Sequence, residues 1–151
     1  MKTIQEWFDE YSESHQDPTN KLMHWVCVPT IYFSIIGILA NFSVLLAALV
    51  FVLALIFYAR LDIVLAIAMA ILTLVMAWMI WILPKGFGLY ISLFILAWIG
   101  QFYGHKVEGK KPSFFKDLQF LLIGPIWCLD TFLGKVSLKY RTHHKTQMKS
   151  I

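Results

Sequence analysis

The sequence predicts an all-α membrane protein: an N-terminal amphipathic helix, about four transmembrane helices, and a re-entrant or interfacial helical hairpin near the C-terminus. Three observations predict it. Of 151 residues, 59% are hydrophobic and 15% charged, against about 25% charged in an average soluble domain. A soluble chain of this length leaves too much of its surface exposed to hide so much apolar area from water, so the bilayer is the expected solvent. Between His24 and His105 the only charged residues are Arg60, Asp62 and Lys85, and these fall where apolar runs stop.

The elements follow in order. Thr3 and Glu6 form a capping-box pattern, in which each side chain satisfies a backbone N–H of the other. A helix is therefore expected from Ile4 to about Ser14, with Ile4, Trp7, Phe8, Tyr11 and His15 on one face and Glu6, Asp9, Glu10 and Glu13 on the rest. Such a helix lies along a membrane surface or on the protein's own membrane domain. Asp17-Pro18 reads as the N-cap and first residue of the next helix. That helix passes Asn20 and His24 and continues to about Phe42, with a kink expected at Pro29.

Asn41 and Ser43 mark a turn before a second apolar segment, Val44 to Tyr58. This segment is short for a span of about 20 residues, so it is expected to thin the bilayer or pack obliquely. Asp62 beside Arg60 reads as a loop ion pair. The third segment covers Ile63 to Leu83 and ends at Pro84-Lys85-Gly86, and the fourth runs from Phe87 to Tyr103. A fifth apolar stretch, Leu118 to Leu133, contains Gly124-Pro125 and Asp130. If it crossed, the basic tail with Lys135, Lys139, Arg141, Lys145 and Lys149 would lie opposite the loop holding Lys106, Lys110, Lys111 and Lys116, against the positive-inside tendency. A re-entrant or interfacial hairpin broken at Gly124-Pro125 is expected instead. The domain plan is a single integral-membrane domain, 1–142, with a surface helix in 1–16, four spans in 22–103 and the re-entrant or interfacial segment in 113–134. A basic flexible tail, 143–151, follows.

An even number of crossings returns His24, which opens the first span, and His105, which follows the fourth, to one face. His15 is expected there too. Asn20 precedes His24 by four residues and Gln101 precedes His105 by four, so each amide shares a helix face with its histidine, and Glu108 lies one turn beyond His105. A single histidine at a membrane boundary is commonly an amphipathic anchor. Three converging on one face, with Asn, Gln and Glu at helical spacing, point to metal ligation. Three imidazoles suit zinc, copper or iron, whereas two histidines with Glu108 would form the facial triad of non-haem Fe(II) oxygenases. Spacing leaves both open.

The remaining features exclude more than they suggest. No glycine-rich phosphate loop or Ser/His/Asp arrangement is present, and the basic tail with His143-His144 is explained by anionic headgroups without nucleic acid. Cys27 and Cys128 lie in apolar stretches, where free cysteine behaves as a small hydrophobe. Trp78, Trp81, Trp98 and Trp127 read as boundary anchors and helix packing. No secretory signal pattern opens the chain.

The paired motifs, His15-x4-Asn20-x3-His24-x4-Pro29 and Gln101-x2-Gly104-His105-x2-Glu108-x3-Pro112, resemble the 2-hydroxy fatty acid dioxygenase family over nearly the whole chain. Cys27 in place of a glycine, and a His105-to-Glu108 spacing one residue shorter, depart from the fungal pattern, and the shorter spacing looks more like bacterial members. The resemblance implies an Fe(II)-dependent, 2-oxoglutarate-independent dioxygenase that turns a 2-hydroxy fatty acid and oxygen into an acid one carbon shorter. It implies His15, His24 and His105 as ligands, with Asn20, Gln101 and Glu108 contacting ligands or substrate. Lys106, Lys110 or Lys111 would attract the substrate carboxylate. It also implies a bacterial inner membrane or endoplasmic reticulum location, with the histidine face cytoplasmic. Two other readings predict different observations: a non-catalytic membrane protein binding lipid or a partner through its basic face, without stoichiometric metal, and a haem-binding anchor, with a Soret band. Oligomeric state is not legible.

Overall fold

Local capping chemistry starts four of the six described helices in a computed structural model, which describes residues 3–13, 15–109, 120 and 122–136. The Thr3–Glu6 capping box opens α1, Ile4–Ser12. Asp17 caps α2, Pro18–Phe42, accepting from Thr19 N at 2.7 Å. Ser43 and Asp62 sit in extended conformation at the joints before α3, Val44–Leu61, and α4, Ile63–Ile82. Each ends one helix with its backbone and caps the next with its side chain. Asp62 accepts from Val64 N at 2.8 Å and Leu65 N at 3.0 Å, so its carboxylate caps α4. α5, Phe87–Glu108, ends at Gly109, whose φ of 71° is the left-handed conformation that favours glycine at a helix end. α6 covers Ile123–Val136.

α2, α3, α4 and α5 are each long and apolar enough to cross a membrane. Among the described residues there is no strand. α3 continues through Arg60 to 18 residues, about 27 Å at 1.5 Å per residue. The expected short second span is thereby corrected: the Arg60 charge does not end the helix, because a cation in the last turn complements the helix dipole. α2 likewise runs through Pro29 as one helix. Large apolar side chains face outward from these helices, with Leu45 81% and Trp81 75% exposed, as expected of surfaces solvated by lipid.

α2 is the hub, packing against α3, α4, α5 and α6, most extensively against α5. Close approaches along the α2–α5 seam fix its direction. A Cβ on Gly104 would meet Asn20 Oδ1 at 2.5 Å, one on Gly100 would meet Cys27 Sγ at 2.5 Å, and one on Gly37 would run into the Tyr90 ring. As α2 residue numbers rise the α5 numbers fall, so the helices are antiparallel. Gly100-x3-Gly104 is the small-xxx-small spacing that lets membrane helices pack backbone to backbone. With few charges available, dispersion and hydrogen bonds hold the rest. Tyr32 donates to Thr73 Oγ1 at 2.7 Å, since the Thr73 hydroxyl itself donates to Met69 O. Tyr58 donates to Leu122 O at 2.7 Å, joining α3 to the approach to α6.

α6 packs on α1, α2 and α4. Its 14 residues extend about 21 Å, short of a span. Gly124-Pro125 lies in its first turn, where proline is tolerated because first-turn N–H groups have no intrahelical acceptor. Most of the expected hairpin's first arm, 113–119, lies outside the described residues, as do Lys110, Lys111, His143 and His144. Asp130 is half-buried in mid-helix. On α1, Ile4, Phe8 and Tyr11 are buried, and Trp127 Nε1 donates to Ser12 Oγ at 3.1 Å.

Candidate metal centre

The end of the bundle where α2 begins and α5 stops gathers the three histidines. α1 ends at Ser12, two residues earlier than its expected limit, so His15 is not carried on the helix face. It sits in the connection to α2, with its N–H on Ser12 O at 3.1 Å. Asp17-Pro18 starts α2 so that Asn20 and His24 point toward α5, and Gly104 leaves room for Asn20. Gln101 and His105 face back from α5. His15, His24 and His105 are 2%, 1% and 4% exposed. Their rings pack edge on, with centroids 4.1 Å (His15–His24), 4.9 Å (His24–His105) and 5.4 Å (His15–His105) apart.

Hydrogen bonds orient two of the rings. His24 Nδ1 lies 2.9 Å from Asn20 O, and His15 Nδ1 bonds Tyr11 O. A carbonyl oxygen only accepts, so both Nδ1 atoms carry the proton and both Nε2 atoms keep the lone pair a metal requires. One potential ligand atom from each of the three histidines lies within 4.8 Å of the others. Metal–imidazole bonds are about 2.0–2.1 Å, so modest ring movement would bring all three onto one ion. Three imidazoles buried against one another fit a divalent first-row metal such as zinc, copper, nickel or iron.

Glu108 is placed differently from the histidines. Its Oε1 accepts from Gln16 N at 2.9 Å, and its Oε2 accepts from Asp17 N at 2.7 Å and Asn20 Nδ2 at 3.1 Å. The carboxylate thus ties the end of α5 to the chain on both sides of α2's start, holding the His15 connection and the residue whose carbonyl orients His24. The group that meets metal-ligand geometry is His15, His24 and His105, without Glu108. Such supporting contacts typically contribute 10–100-fold to metal affinity. Glu108→Ala is accordingly expected to weaken metal binding by about that factor while helicity persists, measured by competition with a chelator of known affinity.

Residues read from the sequence as packing also build this site. The Tyr11 ring stacks on His15, centroids 4.2 Å apart and 9° from parallel, and Trp127 packs against both rings. Tyr11 stands four residues before His15, the same spacing as Asn20–His24 and Gln101–His105, and that repeat was its available signal. A small pocket opens beside the cluster. Its lining combines Tyr11, His24 and Gln101 with Val28, Ile31, Trp98, Phe120 and Gly124. Asn20 and Gln101 are 0% and 5% exposed. Lys106 is exposed in the last turn of α5.

The chain matches the model of the Mpo1-like family, described as 2-hydroxy-palmitic acid dioxygenase Mpo1-like, over residues 1–136. It is 32% identical to the 2-hydroxy-palmitic acid dioxygenase MPO1 of Saccharomyces cerevisiae, over 151 aligned positions covering 92% of this chain and 87% of the relative. No solved structure matches. The family match takes in every described helix and all three clustered histidines, and the chain belongs to the Mpo1-like family.

Proposed function

We propose that this protein is a membrane-embedded, non-haem Fe(II) dioxygenase that shortens 2-hydroxy fatty acids by one carbon, without 2-oxoglutarate. The observation that carries this reading is the buried triad of His15, His24 and His105, beside a pocket lined by both polar and apolar side chains, in a chain related to a 2-hydroxy-palmitic acid dioxygenase. The three histidines would hold the iron, which supplies a Lewis-acidic centre able to take up oxygen.

The overall change balances as RCH(OH)COOH + O2 → RCOOH + CO2 + H2O. The C1–C2 bond breaks, C2 loses three electrons and C1 one, and oxygen accepts all four. Because the substrate supplies four electrons, no separate reductant such as 2-oxoglutarate is required. The protein's own groups have distinct tasks. The carbonyls of Tyr11 and Asn20 hold the His15 and His24 tautomers, and Glu108 and Asn20 position the ligand-bearing segments. Val28, Ile31, Trp98 and Phe120 exclude water beside the reacting carbons. Lys106, with Lys110 and Lys111, would draw the carboxylate to the membrane surface. Arg60 and Lys106 both belong to the histidine end in a four-span topology, and the positive-inside rule then places that end in the cytoplasm.

The test is to incubate detergent-purified protein, loaded anaerobically with Fe(II), with 2-hydroxypalmitate and oxygen, and to identify products by mass spectrometry. Formation of pentadecanoate, lost on chelation and restored by Fe(II) in preference to Zn(II), is expected. No product from protein of verified iron content would overturn the reading.

A further inference from the structure

We infer that Gln101 is the residue that distinguishes a 2-hydroxy acid from an unsubstituted fatty acid, its carboxamide reading the hydroxyl and the carboxylate together. This deepens the proposed function and rests on it. Gln101 is 5% exposed and lines the pocket with His24. Among the described residues nothing hydrogen-bonds its amide, whereas the buried polar side chains of α2, Asn20, His24 and Ser34, each have a bond within the protein. A buried amide without a protein partner is costly unless a ligand or water meets it.

The chemistry of the vacant bonds is specific. A primary carboxamide presents a carbonyl acceptor beside an NH2 donor. An α-hydroxy carboxylate presents the reverse pair on adjacent carbons: a hydroxyl that donates and a carboxylate oxygen that accepts. Gln101 stands one helical turn from His105, so a head group held by it lies beside the histidine cluster. The alkyl chain then continues along Val28 and Ile31, which follow His24 on the same face of α2 at positions i+4 and i+7. An unsubstituted acid satisfies the NH2 but leaves the Gln101 carbonyl buried and unmet. Sites that hydrogen-bond a substrate hydroxyl discriminate strongly against analogues lacking it.

The experiment is equilibrium binding of 2-hydroxypalmitate, palmitate and hexadecane-1,2-diol to the iron-loaded, detergent-purified protein under anaerobic conditions, where no turnover occurs. Wild-type protein is expected to prefer 2-hydroxypalmitate over palmitate by at least about tenfold. Gln101→Leu is expected to bring that ratio close to one, weakening 2-hydroxypalmitate more than palmitate, while iron content is unchanged. Gln101→Glu, a near-isostere that keeps the volume, is expected to weaken both acids by more than about tenfold through repulsion between carboxylates, and the uncharged diol much less. A wild-type preference that survives in both variants would overturn the assignment of Gln101 and leave the dioxygenase reading standing. A wild-type protein that binds neither acid would overturn that reading as well.

Discussion

Replacing His24 with alanine is expected to abolish stoichiometric metal binding and to lower conversion of 2-hydroxypalmitate by more than about 100-fold. The supporting partners of a metal ligand are already worth 10–100-fold, and a ligand itself is worth more. His24 is 1% exposed and packs against both other rings, 4.1 Å from His15 and 4.9 Å from His105, so its removal leaves a pair and not a triad. Alanine is the best helix former, and α2 is otherwise unchanged, so far-ultraviolet circular dichroism should remain that of the wild type. His15→Ala and His105→Ala are expected to behave alike, and His143→Ala to retain full metal and activity. Metal content by mass spectrometry alongside turnover is the check. His24→Ala with a full complement of iron would remove the ligand assignment.

Gly104→Val is expected to damage stability and the metal site together. Glycine to alanine at an unconstrained helix position gains about 0.4–1 kcal/mol from the unfolded state, so the sign depends on what the new carbon meets. At Gly104 it meets Asn20 Oδ1 at 2.5 Å, Met23 Cβ at 3.2 Å and the Asn20 backbone at 3.4 Å. Asn20 cannot swing away cheaply. It is fully buried, its amide is held by Glu108, and its carbonyl holds His24. Overpacking of this kind costs about 1–3 kcal/mol, which outweighs the helix gain, and valine adds two further methyl groups. The expected result is a lower melting temperature in detergent together with weaker iron binding. Gly88→Ala is the matched control: nothing lies within 4 Å of its new carbon, so it should be neutral or slightly stabilising.

Helix starts were legible because caps are local. The Thr3–Glu6 box, Asp17-Pro18 and the even number of long apolar segments all depend on residues within a turn of one another, or on composition alone. Boundaries that depend on helix interiors were less so. Arg60 looked like an end because a charge interrupts hydropathy, yet a cation in a last turn is compatible with the helix, and α3 reaches Leu61. His15 was placed on the right side for a partly different reason. Periodicity put it on the face of α1, whereas the helix stops at Ser12 and the connection is held by a carboxylate 92 positions away in the chain.

The site divides in the same way. The sequence by itself determined the chemical inventory: an apolar block that requires a bilayer, and three histidines brought to one face by counting crossings. It also determined the amides one turn before two of those histidines, because helical spacing is set by the backbone. Only the tertiary structure decided what each polar group does. It committed Glu108 to three N–H donors at the start of α2, moved Tyr11, Trp98 and Trp127 from packing to the walls of the site, and left Gln101 facing the pocket. Those outcomes depend on how closely α2 and α5 approach across Gly100 and Gly104. That distance is set by packing between residues far apart in the chain, which no local pattern records.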